Sequence, residues 1–178
     1  MTAAAKLPAR LHHTAYVSSN LERTRQFYED VIGLPLEATW CEADELFGAV
    51  RTYCHLFFGL GDGSALAFFQ FVNKGDQELF GPKMPETPFH HIALKVDADV
   101  QQQIEARLRK AGYAEPSIYV LEHGYCRSLY ATDPDGMIVE FTVDRADVND
   151  IAATRKKDAH AELKRWLAGD HHSNNTYR

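Results

Sequence analysis

The chain is predicted to be an α+β protein that uses one unit twice: a strand, a helix, then three strands. Three observations carry that prediction. A His-His pair opens a short β-type run in each half, in Leu11-His12-His13-Thr14-Ala15-Tyr16-Val17 and in Phe89-His90-His91-Ile92-Ala93-Leu94-Lys95-Val96. An amphipathic helical pattern follows each run. A turn signal and an apolar strand then close each half, Gly61-Asp62-Gly63-Ser64 before 65–71 and Asp133-Pro134-Asp135-Gly136 before 137–141. Self-similarity of this kind marks a duplicated supersecondary unit.

The elements follow in order. After the first strand, Leu21, Thr24, Phe27, Tyr28 and Val31 lie at helical spacing, which predicts a helix over 21–31. Asn20 is its N-cap and Gly33 its stop. Strand patterns occupy 35–41, 50–59 and 64–72. The prolines, glycines and charges of 73–88 read as a surface linker. The second half has a strand from about 89, a helix over 100–110 before Ala111-Gly112, and strands over 118–121, 126–132 and 137–143. The halves therefore run from about 10 to 72 and from about 89 to 143, within a single domain. A third helix is expected over about 148–168, in a C-terminal extension of about 146–170. Its intermittent apolar stripe (Val148, Ile151, Ala152, Ala159, Leu163, Trp166) would pack on the domain or on a partner subunit. The polar tail 171–178 is expected to fray.

Composition bounds the function. A length of 178 residues, 45% hydrophobic and 25% charged, is one globular domain with room for a core. A net charge of -6 argues against nucleic acid and anionic membranes, which repel an acidic surface. The opening MTAAAKLPAR has no apolar core of a secretion signal, and no run approaches the roughly 18 apolar residues of a membrane span. Cys41, Cys54 and Cys126 are an odd number without motif spacing, which reads as reduced thiols in the cytoplasm.

A histidine met alone in a strand is more often a hydrogen-bonded structural residue than a ligand. The same His-His pair at equivalent points of a duplicated unit reverses those odds. A carboxylate would complete a site, and Glu140 is the candidate, because it stands amid Met137, Ile138, Val139, Phe141 and Val143. A buried ionised carboxylate needs a partner or a metal. The preceding Asp133-Pro134-Asp135-Gly136 suits a type I turn with Gly136 left-handed, in a three-residue hairpin loop with a bulge. In that register Asp133 pairs with Met137 and Tyr130 falls opposite Glu140, so both share a face. A two-residue loop would slip the register and move Tyr130 to the other face. Two imidazoles and one carboxylate form a facial triad, the ligand set of non-haem ferrous oxygenases. Ala67 stands in the first half where Glu140 stands in the second, four places after the turn glycine, so three protein ligands are expected rather than four.

These residues resemble the vicinal oxygen chelate superfamily, which holds glyoxalase I, bleomycin and fosfomycin resistance proteins, and type I extradiol ring-cleavage dioxygenases. The likeness rests on Leu11-His12-His13, Asn20-Leu21-Glu22-Arg23…Phe27-Tyr28, Phe89-His90-His91 and His123-Gly124…Tyr130…Asp133-Pro134-Asp135-Gly136…Glu140, and covers about 10–143. It implies two paired βαβββ modules whose mixed sheet curls around a metal. It also implies that the second histidine of each pair binds: His13, His91 and Glu140 as metal ligands. Pattern alone leaves His12 and His13 equivalent. Glyoxalase-type isomerases usually carry a fourth ligand where Ala67 stands; extradiol dioxygenases keep that place apolar, and Leu66-Ala67-Phe68 resembles theirs. Tyr130 matches their substrate-binding tyrosine. Their acid–base histidine usually precedes that run, where this chain has Ser64, so His123 or His55 is expected to move the proton. Of Phe57, Phe58, Phe68, Phe69 and Phe71, most are expected in the core, the remainder lining an apolar pocket. The implied function is a one-domain extradiol dioxygenase using Fe(II), or Mn(II) or another divalent metal, on a catechol-type substrate with dioxygen, as a cytoplasmic homodimer. The alternatives are a metal-dependent lyase, isomerase or epimerase, and a protein that sequesters a small molecule.

Overall fold

A computed structural model describes residues 7–81, 84 and 87–178 of the chain. Most residues read for a secretion signal, and linker positions 82, 83, 85 and 86, lie outside this described set. Contacts gather the chain into two units. One holds the residues up to Pro88 with the turn Asp133–Met137; the other holds Phe89–Thr132 and Ile138–Arg178. Among the described residues, no helix is long and apolar enough to cross a membrane.

The first unit opens with β1 (His13–Val17) and α1 (Leu21–Arg25), which continues as a π-helical stretch, Gln26–Ile32. The expected caps are present. Asn20 accepts a hydrogen bond from the Arg23 amide, and Gly33 ends the stretch at φ 94°. The Gly33 amide reaches five residues back to the Tyr28 carbonyl, the spacing of a π-turn. That wider turn sets the adjacent Phe27 and Tyr28 both into the core. Three strands follow: β2 (Leu36–Leu46), β3 (Ala49–Gly59) and β4 (Ala65–Phe71). β2 and β3 run longer than their sequence patterns. They meet at a two-residue loop, Phe47-Gly48, with φ 51° and 80°. Positive φ at both positions matches the right-handed twist of a hairpin. The sheet order is β1-β4-β3-β2, with β1 parallel to β4 and the other pairs antiparallel.

The segment expected as plain linker contains a short helix, α2 (Lys74–Phe80). Asn73 nucleates it by accepting from the Gly75 and Asp76 amides, a local effect that outweighs the glycine.

The second unit repeats the order: β5 (His91–Lys95), α3 (Ala98–Lys110), β6 (Ile118–Glu122), β7 (Cys126–Thr132) and β8 (Ile138–Asp144). Its sheet, β5-β8-β7-β6, has the same pattern of one parallel and two antiparallel pairs. Strand alternation gives this sheet two unlike faces. Val139, Phe141, Leu129 and Ile118 are buried, as are Ile104, Leu108 and Gln101 of α3. Gln101 is satisfied there, because its amide nitrogen donates to the Phe141 carbonyl at 2.6 Å. The opposite face carries His91, Glu140, Thr142, Ser128 and Tyr130.

The final helix, α4 (Val148–Leu167), lies within a residue of its expected span. Only Ile151 of it is buried; Leu163, Trp166 and Leu167 face solvent. The tail departs from expectation. It is tethered by Arg165 to the His172 carbonyl, by Asn174 to Glu162, and by Asn175 to the His123 carbonyl. Side-chain hydrogen bonds to groups distant in sequence, invisible to a local polarity pattern, hold it.

Candidate metal centre

The turn before β8 sets the geometry. Gly136 has φ 92°, the Asp133 amide donates to the Met137 carbonyl at 2.8 Å, and Thr132 pairs with Ile138. The Asp133 carboxylate braces the loop by accepting from the Asp135 and Met137 amides, each at 2.9 Å. Two residues further along each strand, Tyr130 pairs with Glu140, as the three-residue loop requires.

Glu140 is 6% exposed and gathers polar groups around it. Its Oε2 lies 2.9 Å from His91 Nε2, and its Oε1 accepts from the Thr142 hydroxyl at 2.8 Å. Thr142 in turn contacts Ser128, its register partner, at 3.2 Å. Burial pushes the Glu140 carboxyl up. Hydrogen bonds from Ser128, Thr142 and Tyr130, with the nearby His91, outweigh burial and hold it below the usual carboxylate range. Tyr130 is pushed up to about 12, by burial first and then by the charge of Glu140. Its ring stacks on Tyr119 at 4.8 Å, and its hydroxyl lies 3.1 Å from His123 Nε2.

His91 is therefore the member of its pair that meets the carboxylate. The separation is informative. Two donors in neighbouring octahedral positions, with bonds of about 2.1 Å, stand about 3 Å apart. The His91–Glu140 contact has that span. Thr142 holds the other carboxylate oxygen, the kind of outer support that orients metal ligands. These two residues fit a divalent metal. Within each unit, among the described residues, no three His, Cys, Asp or Glu side chains gather into a complete set.

The first unit presents a separate imidazole group. His13 starts β1, and its Nδ1 lies 2.8 Å from that of exposed His12. Its ring stands 5.5 Å from Phe57 and 6.2 Å from His55. Burial, then the neighbouring His13, lowers His55 to about 4, so its imidazole is neutral. Its ring stacks on Phe69 at 3.5 Å, and its buried Nε2 has no hydrogen-bond partner among the described residues. Alternation separates the phenylalanines: Phe58 and Phe68 are core beside Tyr28, whereas Phe57 and Phe69 share the His13 face. Ala67 lies on that face, fully buried, and pairs with Ala15 and Phe57. Its lattice position matches that of Glu140, which pairs with Ala93 and Tyr130. Ser64 is committed to the turn, where its hydroxyl and amide both donate to Asp62.

Ser128 and Thr142 were missing from the sequence expectation. Serine and threonine are ordinary in strands, but once Tyr130 is set opposite Glu140, alternation alone puts both on the same face.

Two sheets of identical order, each opened by a strand and a helix and one carrying a His–Glu pair with an adjacent tyrosine, define a duplicated βαβββ protein with a metal-competent face. The chain belongs to the Glyoxalase/Bleomycin resistance protein/Dioxygenase superfamily, whose family model matches residues 10–141. A lactoylglutathione lyase of Neisseria meningitidis is 26% identical over 143 residues, 80% of this chain and 96% of that protein. The fold is similar to that of the fosfomycin resistance protein FosX of Listeria monocytogenes, with a TM-score of 0.57 and 17% identity over 80% of this chain and 98% of the other. It is also similar to the trypanothione-dependent glyoxalase I of Leishmania major, with a TM-score of 0.57 and 20% identity over 86% and 99%.

Proposed function

We propose that the chain is a metal-dependent extradiol dioxygenase, with His13, His91 and Glu140 as ligands, acting on a catechol-type substrate. The observation that carries this reading is Ala67. A methyl group stands at the lattice position where the second sheet has a carboxylate, so the protein offers three ligands and leaves positions for substrate and dioxygen. Fe(II), with Mn(II) as the alternative ion, would supply neighbouring coordination sites for both diol oxygens and for dioxygen and carry electron density between them.

The residues around that centre have matched tasks. Tyr130, a phenol whose burial favours the protonated form, donates a hydrogen bond to a diol oxygen. His123, in contact with the same hydroxyl, receives or returns the proton as the ring opens. Tyr119 and Tyr130 give the aromatic ring a flat wall. A homodimer fits the edge strands β1 and β5, each paired on one side only among the described residues. A cytoplasmic location fits three free cysteines.

A second reading is favoured by the lactoylglutathione lyase relative, which spans nearly its whole length against this chain. Sequestration of a small molecule is less favoured, because it has no need of a histidine held against a buried carboxylate.

Anaerobic purification, metal analysis, and then a panel of catechols with dioxygen test the proposal. One dioxygen consumed per catechol, with a yellow ring-opened product, supports it. Bound metal with no catechol turnover, together with formation of lactoylglutathione when glutathione and methylglyoxal are supplied, would replace it with the lyase reading.

A further inference from the structure

The strongest unassigned chemistry lies on the β2–β3 hairpin. Cys41 and Cys54 are register partners on these adjacent antiparallel strands, and their sulfurs lie 3.6 Å apart. Cys41 is exposed and Cys54 half-buried. Burial, then the contact with Cys41, pushes the Cys54 thiol up to about 11. Directly paired residues of antiparallel strands have Cα atoms about 4.5–5.5 Å apart, inside the range of about 4.4–6.8 Å that a disulfide spans. The two thiols thus need only side-chain rotation to bond. Cys126, buried in β7 beside Ser128, is a built-in comparison without a thiol partner among the described residues.

We propose that Cys41 and Cys54 form a reversible dithiol–disulfide site, oxidised by low-molecular-weight disulfides such as glutathione disulfide. Cys41, on the solvent side, attacks one sulfur of the small disulfide as its thiolate. A mixed disulfide forms and one small thiolate leaves. Cys54 then gives up its proton to solvent and attacks the Cys41 sulfur, releasing the second small thiolate. The balance is two protein thiols and one small disulfide giving one protein disulfide and two small thiols. The protein loses two electrons and the small disulfide gains them.

The bond closes a loop around the Phe47-Gly48 turn and locks edge strand β2 to β3. On the other face of β3, the next residue is His55, stacked on Phe69 beside His13. Oxidation therefore stiffens the strand that carries the first unit's buried imidazole. In a reducing compartment such a bond is transient, which suits a sensor rather than a structural staple.

The test uses the intact protein, equilibrated with glutathione disulfide or with dithiothreitol, then denatured and alkylated. The expected result is three alkylated thiols after reduction and one after oxidation, with peptide mapping joining Cys41 to Cys54. Dithiothreitol should reverse the change. The oxidised form should melt about 5 °C higher. Cys126→Ser should keep the bond; Cys54→Ser should retain a stable glutathione adduct on exposed Cys41, whereas Cys41→Ser should take up little glutathione, because Cys54 is half-buried. Three alkylated thiols after oxidation, a glutathione adduct on wild-type Cys41 that never resolves, or a cross-link between two chains through Cys41 would each overturn the proposal.

Discussion

Glu140 is where the residue-scale argument concentrates. It is nearly sealed from water, yet held in its ionised form by three hydroxyls and an imidazole. Replacing it with alanine strips the acceptor from Thr142 and from His91, and removes one of the three proposed ligands. Metal content measured by elemental analysis should fall from about one per chain to near zero; unchanged metal would disprove the assignment. Tyr130→Phe makes the complementary prediction. It removes one hydroxyl and leaves the ligands, so metal should stay bound while turnover falls by about 100-fold. Loss of metal instead would mean that the phenol supports Glu140 rather than the substrate. Much of this cluster was legible in the sequence. The Asp133–Gly136 turn set the register that paired Tyr130 with Glu140, and the family resemblance chose His91 from the repeated His-His pair. Ser128 and Thr142 were not singled out, because both are ordinary strand residues and their place beside Glu140 emerges only when that pairing is followed two residues further along each strand.

Among the elements, the β7–β8 turn and the C-terminal tail invite opposite expectations. Asp133 is a buried carboxylate whose titration is shifted upward, chiefly by burial, although two amides and the Tyr28 hydroxyl bond to it. A group whose folded-state value lies above its unfolded value of about 3.8 stabilises the fold fully below that pH. That contribution is lost as pH rises through the folded value. Asn at position 133 can still accept from both amides and, if Tyr28 turns its hydroxyl, donate to it. Asp133→Asn should therefore keep the fold and flatten the pH dependence of thermal stability just above pH 3.8, measured by calorimetry in metal-free protein. An unchanged slope would show that the aspartate is not the group titrating there. The tail acts on the proposed proton carrier. Asn175 holds the His123 carbonyl, and Tyr177 lies so close to Gly124, at φ 84°, that a Cβ there would meet its carbonyl oxygen at 2.3 Å. Gly124→Ala should cost about 1–3 kcal/mol in denaturant unfolding, from left-handed strain and displacement of the tail. It should also lower turnover while metal content holds. Wild-type turnover in this variant would free the tail from any part in positioning His123. Nothing in His171–Arg178 signals this order, since its anchors are side chains of α4 and, for Asn175, the His123 carbonyl 52 residues earlier in the chain.

For the whole molecule, the duplicated unit was the most legible feature, because both halves repeat the same His-His opening, turn and apolar strand. The register extends that repeat to single positions: Ala67 occupies in its sheet the place Glu140 occupies in the other. The sequence does not show how far such equivalence reaches into chemistry, because a methyl group and a carboxylate at one lattice point give different ligand sets on the same backbone. Ala67→Glu tests it. Position 67 is fully buried beside Ala15 and Phe57, so an added carboxylate without a counter-charge should destabilise the metal-free protein by about 3 kcal/mol, a fall of about 10 °C in Tm. If position 67 faces the metal site proposed for His13, His91 and Glu140, the new carboxylate becomes a fourth ligand. Divalent metal should then raise the Tm of Ala67→Glu more than that of the wild type, since a ligand bound only by the folded state stabilises it in proportion to its affinity. Catechol cleavage should be lost at the same time, because the extra ligand takes a position that substrate or dioxygen needs. Equal metal-induced shifts in the two proteins would place Ala67 away from the metal and remove the observation on which the three-ligand reading rests.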